Sequence, residues 1–401
     1  MRKALIIGAG NQGRGILGMI CRNNGLVPIF MDTNTVLLQQ LRAQKQYTVE
    51  DLKQNISMQL HCGECIDVDD LAGMCQAVEE AELIFTSVSS GHITECGAII
   101  GKGLSELYRS NRLKEKNIIL CENSADKISQ FLQGLQTCMS QSDLECVQEI
   151  IGICEALSMS LASHSQFAEN ELQVEIQQGM RLYINKNRMK GDLIRYEGIR
   201  YVDNYEHLRL QALYTNNTSS ACIGYLGHLL GYRTLKEAMA DQRLQHLLVS
   251  CYDEINLTLI RELGVSPADQ KDFSVFARKK YEHSDDRIER HCKGVLRKLG
   301  KEERLSGICE KALKHDVVPK TIALGLAAAL FYNDESDEES KQLALQRERC
   351  SLSSLIETLC QTNNQRLMEL KYEGIIYLVD NNYLCQNKIT TKLIQSWQIA
   401  S

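Results

Sequence analysis

Residues 3–15 read Lys3-Ala-Leu-Ile-Ile7-Gly8-Ala-Gly10-Asn11-Gln12-Gly13-Arg14-Gly15. An apolar run leads straight into Gly-x-Gly-x-x-Gly, and a helical pattern from Ile16 to Cys21 follows. The order of strand, glycine turn and helix gives a motif of low specificity its meaning. Gly8 permits the tight turn, Gly10 lets the backbone approach a pyrophosphate, and Gly13 allows the helix to pack close to the strand. The helix start, with Asn11 and Gln12, offers unpaired N–H groups to phosphate. The next strand, Leu26 to Met31, ends at Asp32. A carboxylate there accepts hydrogen bonds from ribose hydroxyls and repels a 2′-phosphate, so the pattern predicts NAD rather than NADP. FAD shares the fingerprint, but no other flavin feature accompanies it. A glycine turn that binds nothing is the plainer alternative.

Working outward, Val36 to Leu41 starts a helix, Leu83 to Val88 reads as a strand, and Asn117 to Cys121 reads as another. Ser87 and Val88 join the expected cofactor-binding set. Strands alternating with helices predict an α/β fold with a Rossmann-type, doubly wound parallel sheet. Ile150 to Cys154 and Leu172 to Ile184 continue the strand-like patterns. From about residue 205 long helical patterns take over: Glu206 to Leu230, Thr234 to Leu263, Asp286 to Leu299, Ile322 to Phe331 and Leu352 to Leu370. The expected domains are a Rossmann domain over 1–190 and an all-helical substrate domain over 191–401. The acidic stretch that begins at Asn333 reads as a solvated loop or a helix start.

The 401 residues are 44% hydrophobic, enough for two cored domains, and the formal charge of −6 argues against nucleic acid as a partner. Only three prolines occur, which favours long helices, and Trp397 is the single tryptophan. No stretch approaches the ~20 apolar residues of a membrane span. The N-terminal apolar run is too brief for a signal peptide and enters the glycine loop without a cleavage site. A cytoplasmic protein, monomeric or a small homo-oligomer, is expected. The 16 cysteines are scattered, many in apolar context, and read mostly as small buried hydrophobes. Cys62 and Cys65 form one Cys-x-x-Cys behind His61, but no second pair follows at zinc-site spacing, so no metal is expected.

Several segments stand out together: Gly8 to Gly15, Phe30-Met-Asp32-Thr-Asn34, Cys121-Glu-Asn123 and Gly224-Tyr-Leu-Gly227. With them go Asp285-Asp286, Leu296-Arg-Lys-Leu299 and Leu324-Gly-Leu-Ala-Ala-Ala-Leu330. On these segments the chain bears a resemblance to the polyol-specific long-chain (mannitol) dehydrogenase family, and to its mannitol-1-phosphate 5-dehydrogenase branch most of all. The resemblance implies a Rossmann domain, a helical substrate domain and a polyol or sugar phosphate as the small-molecule partner. It also implies a lysine base on the substrate hydroxyl, two flanking asparagines and a substrate-orienting histidine. By position the asparagines match Asn123 and Asn217, whereas the lysine falls on Ala212 and the histidine on Ser220. A family Asp-Arg pair falls on Met159-Ser160 and a family glutamate on Gln177.

Alanine can neither accept a proton nor polarise a carbonyl, and a positioned general base is worth ~10² to 10⁴ in rate. Three readings follow. The base has moved, with Lys127 the sharpest candidate because it lies four residues after Asn123 and would share a helix face with it if that segment is helical; an ordinary surface lysine is the plainer alternative. His207 and Tyr214 are alternatives. Or the chain retains NAD and recycles it in place, as epimerases and lyases do through transient oxidation. Or it is a non-catalytic NAD- or sugar-phosphate-binding regulator. For a substrate phosphate, Arg290, Lys293 and Arg297 recur at helical spacing as one stripe, with Lys298 beside it and Arg278-Lys-Lys280 nearby. A solvated charged face paired with Asp286 and Glu289 is the alternative.

Overall fold

The computed structural model describes residues 1–52, 54–124, 126–160, 162–164, 172–177, 179–279, 281, 286–362 and 364–384. Lys280, Asp285 and Trp397 lie outside the described residues. The chain divides into two compact units, Met1–Leu208 and Arg209 onward.

In the first unit the strands are β1 Arg2–Ile7, β2 Leu26–Asp32, β3 Gln46–Asp51, β4 Ile56–His61, β5 Cys65–Asp67 and β6 Ala81–Thr86. They continue as β7 Lys116–Leu120, β8 Ile151–Ser158, β9 Ala162–His164, β10 Val174–Ile176, β11 Leu182–Asn185 and β12 Ile199–Val202. The main sheet has the order β12-β11-β8-β7-β6-β1-β2-β5. Its six strands from β5 to β8 are parallel, in the Rossmann 3-2-1-4-5-6 arrangement, and β11 adds antiparallel to β8. The strand order reverses between β1 and β6, so a crevice opens beyond their C-terminal ends.

Both faces of this sheet are covered, which is why its strands read as continuous apolar runs rather than alternating ones. Ala4, Ile6, Phe30, Phe85, Ile119 and Cys154 pack on one side. Leu5, Ile7, Ile29, Met31, Ile84, Ile118 and Ile153 pack on the other. A second sheet, β4-β3-β10-β9, was not foreseen: β3 and β4 are rich in polar residues, and only pairing with each other and with β10 makes them strands. That sheet seats on the first helix, where a side chain on Gly15 would meet Ala162 and Ile176, and one on Gly18 would overlap the Tyr47 hydroxyl.

The described part of the second unit is helical. Three of the long helices foreseen are broken. Asp241, extended, separates Leu235–Ala240 from Gln242–Leu263. Gly294, at φ +76°, separates Ile288–Cys292 from Val295–Leu299. Gln361, at φ +47°, ends Leu352–Cys360 before Gln365–Asp380 begins. The acidic stretch leads into the helix Glu338–Arg349. In the core, Gly325 of the helix Lys320–Ala329 packs directly on Cys222 of the helix Ser219–Leu229. Among the described residues no helix is long and apolar enough to cross a membrane.

Candidate functional site

The crevice is built from turns whose residues are dictated sterically. Gly8 has φ +104°, and a side chain there would overlap the Ser87 carbonyl oxygen at the end of β6. A side chain on Gly13 would overlap the Gly8 carbonyl oxygen, so the helix can start this close to β1 only with glycine at both places. Gly10 faces open space, with nothing within 4 Å of where a side chain would begin. The tight turn at Gly8 and the close helix packing at Gly13 are the steric parts the sequence predicts for them. The Gly8 and Ser87 amides are spent on the sheet, bonding Met31 O and Ile7 O at 2.7 Å each. The helix opens with a π-helical segment, Gly13–Leu17, that continues as Gly18–Asn23.

Asp32 is fixed by backbone amides. One carboxylate oxygen accepts from Ala9 N at 2.6 Å and the other from Asn34 N at 2.8 Å. The carboxylate thereby joins the glycine turn to the second crossover and keeps lone pairs for a ligand. A cavity of about 380 Å³ opens here, lined by Gly8, Gly10, Asp32, Thr33, Ser87 and Val88. Val68, His92, Glu95, Cys96 and Ile99 also line it and were missed by the sequence reading. The only signal for Val68 was its place just beyond the three-residue β5, a strand too short to recognise. His92 and Glu95 pair at 3.0 Å on the rim. An apolar wall beside a fixed carboxylate, with an open glycine facing a helix start, fits the adenosine and pyrophosphate of a dinucleotide.

Further along the strand ends, Glu122 and Lys127 form a second layer. Glu122 is buried and accepts from Thr86 Oγ1 at 2.9 Å and from Val88 N at 3.0 Å, joining the ends of β6 and β7. Burial pushes its carboxyl upward, with the amide and hydroxyl opposing. Asn123, next to it, is exposed.

Lys127 opens the helix Lys127–Gln136 and is 3% exposed. Its ammonium donates to Glu122 O at 2.5 Å, Ala156 O at 2.7 Å and Leu120 O at 3.4 Å. The Tyr205 hydroxyl also donates to Ala156 O, at 2.9 Å, and the Lys127 ammonium lies 5.7 Å from the Tyr205 ring. Burial pushes the Lys127 pKa down. Three accepting carbonyls, however, use all three N–H bonds and leave no lone pair for a substrate proton. Lys127 is thus buried and bonded to backbone on all three N–H groups, rather than exposed as a surface lysine would be. It cross-links the carbonyl ends of β7 and β8.

Met159 is buried and its amide donates to Arg181 O at 3.0 Å, while the Ser160 hydroxyl accepts from Arg181 N at 2.9 Å. Gln12 reaches this same end of β8, donating to Ser158 Oγ at 2.8 Å. The Gln177 side-chain oxygen is buried, with no hydrogen-bond partner among the described residues.

In the second unit, the segment after Tyr205–Ala212 widens into a π-helical segment, Leu213–Thr218, before Ser219–Leu229. Asn216 and Asn217 are half-buried there, and Asn216 Nδ2 donates to Asn217 Oδ1 at 3.3 Å. Ala212 is 8% and Ser220 7% exposed, and the Ser220 hydroxyl donates back to Asn216 O at 2.7 Å. Beside it the Tyr281 hydroxyl donates to Ser219 Oγ at 3.0 Å, and Ser219 Oγ to Tyr252 Oη at 3.1 Å. Tyr214 is a packing residue whose hydroxyl bonds Glu302 O at 3.2 Å.

The expected basic stripe is also corrected. The turn at Gly294 breaks the helix, so Arg290, Lys293 and Arg297 do not share one face. Arg290 pairs with Asp286 at 3.0 Å, Arg297 pairs with Glu303 at 2.9 Å, and Lys293 is exposed. The buried cation is Lys298, 4% exposed, which donates to His291 O at 2.6 Å. Burial, reinforced by the Arg304 charge, pushes its pKa down to about 8. Burial also lowers Arg304, which bonds Glu303 at 3.2 Å. Periodicity could not single out Lys298, because which side of the helix faces the core depends on where the helix breaks.

The family model for the mannitol dehydrogenase Rossmann domain matches residues 2–198, and that for the mannitol dehydrogenase C-terminal domain matches residues 201–397. Mannitol-1-phosphate 5-dehydrogenase of Buchnera aphidicola subsp. Acyrthosiphon pisum (strain 5A) is 25% identical over 362 residues, covering 89% of this chain and 94% of that protein. The enzyme of that name from Bacillus pumilus (strain SAFR-032) is 26% identical over 364 residues, covering 89% and 95%. Among solved structures, Pseudomonas fluorescens mannitol 2-dehydrogenase in ternary complex with NAD and D-mannitol has a TM-score of 0.67 at 14% identity, covering 99% of this chain and 94% of that one. A substrate-free D-sorbitol dehydrogenase has a TM-score of 0.71 at 12% identity, covering 98% and 91%. The two domain matches together span nearly the whole chain, and the chain belongs to the mannitol dehydrogenase family.

Proposed function

We propose that this protein is an NAD-dependent oxidoreductase acting on a sugar alcohol or sugar phosphate, with an altered active site and a substrate or reaction changed from that of its mannitol-1-phosphate relatives. The observation that carries the reading is the contrast between the two sets of residues. The cofactor crevice is sterically complete: Gly8 and Gly13 where only glycine fits, Gly10 open, and Asp32 held by two amides. The helix that bears Asn217 presents a methyl group at Ala212 and a self-bonded hydroxyl at Ser220.

NAD, when bound, supplies the hydride acceptor. The chain's own residues do the rest. Gly10 and the helix start at Asn11 and Gln12 take the pyrophosphate, and Asp32 takes the ribose hydroxyls and disfavours a 2′-phosphate. Glu122 holds Val88 in place, and Lys127 fixes the backbone from which Asn123 projects. The amides of Asn123 in the first unit and of Asn217 in the second can each stabilise charge on an oxygen, but neither can remove a proton. Lys298, charged below pH 8, and Arg304 attract the anionic group of a sugar phosphate.

The second reading is favoured by Ala212. An enzyme that keeps NAD and recycles it for epimerisation or elimination, or a non-catalytic binder, has no need of a lysine there. One experiment separates these. Nucleotide retained by the purified protein is identified by mass spectrometry, and NADH formation is followed with a panel of polyols and sugar phosphates. Exchangeable NAD with reduction on substrate addition supports the dehydrogenase. Tightly retained NAD(H) supports recycling, and neither binding nor turnover overturns the proposal. Mannitol-1-phosphate oxidation at a rate normal for the relatives would refute the altered site.

A further inference from the structure

The helix Ile93–Arg109 turns one face to the nucleotide cavity. His92, just before its first turn, and then Glu95, Cys96 and Ile99 line the cavity at helical spacing. Asp32 at the end of β2 and Val68 beyond β5 line it as well. The helix face changes character along its length. Cys96 is buried and, with Ile99, Val68 and Met31, makes an apolar slot. The side chains of His92 and Glu95 stand at the rim, 66% and 60% exposed.

The rim pair is ordered. His92 Nδ1 lies 3.0 Å from Glu95 Oε2, so the carboxylate is held from one side. Against an ionised carboxylate, Nδ1 carries the hydrogen and donates it. The other oxygen, Glu95 Oε1, makes no hydrogen bond among the described residues. An ionised carboxylate has lone pairs and no N–H or O–H, so Glu95 can only accept from a ligand.

Asp32 takes the ribose hydroxyls, which orients the base of the same nucleoside in the slot. A cavity of about 380 Å³ is small enough for one adenosine to reach from Asp32 to the helix face. The flat faces of adenine match the apolar slot, and the only N–H donor on its ring edges in a nucleoside is the 6-amino group. We infer that Glu95 is a specificity-determining residue that accepts a hydrogen bond from that amine, with His92 as the positioning residue that aims its carboxylate. The site therefore selects a 6-aminopurine dinucleotide over a 6-oxopurine one. This rests on the reading of the crevice as an NAD site and adds a base preference to it. A 6-oxopurine sets carbonyl lone pairs against the Glu95 lone pairs. Its N1–H is a donor, but it reaches Glu95 only if the base slides between Val68 and Ile99. The plainer part for Glu95 is a charge in the first turn that favours the helix dipole, and that part is indifferent to the base.

The test is calorimetric titration of the full-length protein at pH 8 with NAD and with nicotinamide hypoxanthine dinucleotide, in which oxygen replaces the 6-amino group. The expected result is that the hypoxanthine dinucleotide binds the wild type about fivefold or more weakly, the loss of one hydrogen bond to a charged but partly exposed acceptor. Glu95→Gln can turn an amide N–H toward the 6-oxo group, so in that variant the preference should fall to about twofold or less. Glu95→Ala gives the same readout if the glutamine variant melts early. His92→Ala leaves the carboxylate unaimed and should at least halve the preference. A smaller wild-type preference overturns the inference. So does a preference that survives in Glu95→Gln while both nucleotides weaken alike, which is the signature of the helix-dipole part. An unchanged preference in His92→Ala overturns the positioning part of His92. NAD binding without base discrimination sinks only this inference, whereas no NAD binding at all sinks the proposed oxidoreductase.

Discussion

The Lys127 ammonium lies 2.7 Å from the Ala156 carbonyl oxygen, and through it the C-terminal end of β8 is tied to the loop that carries Asn123. Near the C-terminal ends of β7 and β8, Lys127 donates to three carbonyls, those of Leu120, Glu122 and Ala156. Lys127→Met should therefore unfold more easily, by roughly 2–4 kcal/mol, because each abandoned buried acceptor costs ~1–3 kcal/mol. The pH dependence of whatever activity the wild type shows should keep its shape. Denaturant melts and a pH–rate profile check this. A rate loss of ~10² or more with unchanged stability and a lost basic limb would restore Lys127 as the base.

Gly10 and Gly13 should separate binding from folding. Gly13→Ala forces a methyl group onto the Gly8 carbonyl, so both stability and NAD affinity should fall, stability by ~1–3 kcal/mol. Gly10→Ala meets nothing in the protein, so it should melt normally and lose NAD affinity by tenfold or more. Calorimetric titration with NAD and thermal melts together decide the matter.

Asp32→Ala removes the acceptor for Ala9 N and Asn34 N as well as the negative charge. NAD affinity should fall and the ratio of NAD to NADP affinity should drop at least tenfold. An unchanged ratio would mean that the 2′-position is read elsewhere.

Lys298 carries a pH signature. Its folded-state pKa of about 8 lies below the unfolded value. Between pH 8 and about 10.4 the unfolded chain holds a proton that the folded protein has released, so this group makes stability rise with pH across that window. Below pH 8 both states are charged and its burial penalty is carried in full. Urea midpoints of wild type and Lys298→Met, compared from pH 7 to 10, should therefore converge or cross toward the wild type as pH rises. Affinity for a sugar phosphate should run the other way, weakening above pH 8 in the wild type only.

Ala212→Lys, alone and with Ser220→His, asks whether the scaffold still supports the family's chemistry. If the remaining groups are in place, mannitol-1-phosphate oxidation should rise by ~10² or more in the double variant. No gain in a folded, NAD-binding double variant would mean that positions such as Met159, Ser160 and Gln177 have remade the substrate side as well.

The sequence by itself determined the parallel core and the nucleotide crevice. Gly8, Gly13 and Asp32 are constrained by local sterics and by the ends of adjacent strands, so their spacing carries the geometry. Strands buried on both faces are equally legible because their central residues must be apolar on either side. The tertiary structure alone decided the rest. The polar strands β3 and β4 exist only by pairing, and the 286–299 stretch is two helices because Gly294 turns left-handed. Lys127 and Lys298 read as helix-surface lysines, yet both are buried against carbonyls from elsewhere in the chain. Whether a lysine serves as a base, a ligand or a cross-link depends on which acceptors surround its amine, and those come from distant segments that spacing cannot reveal.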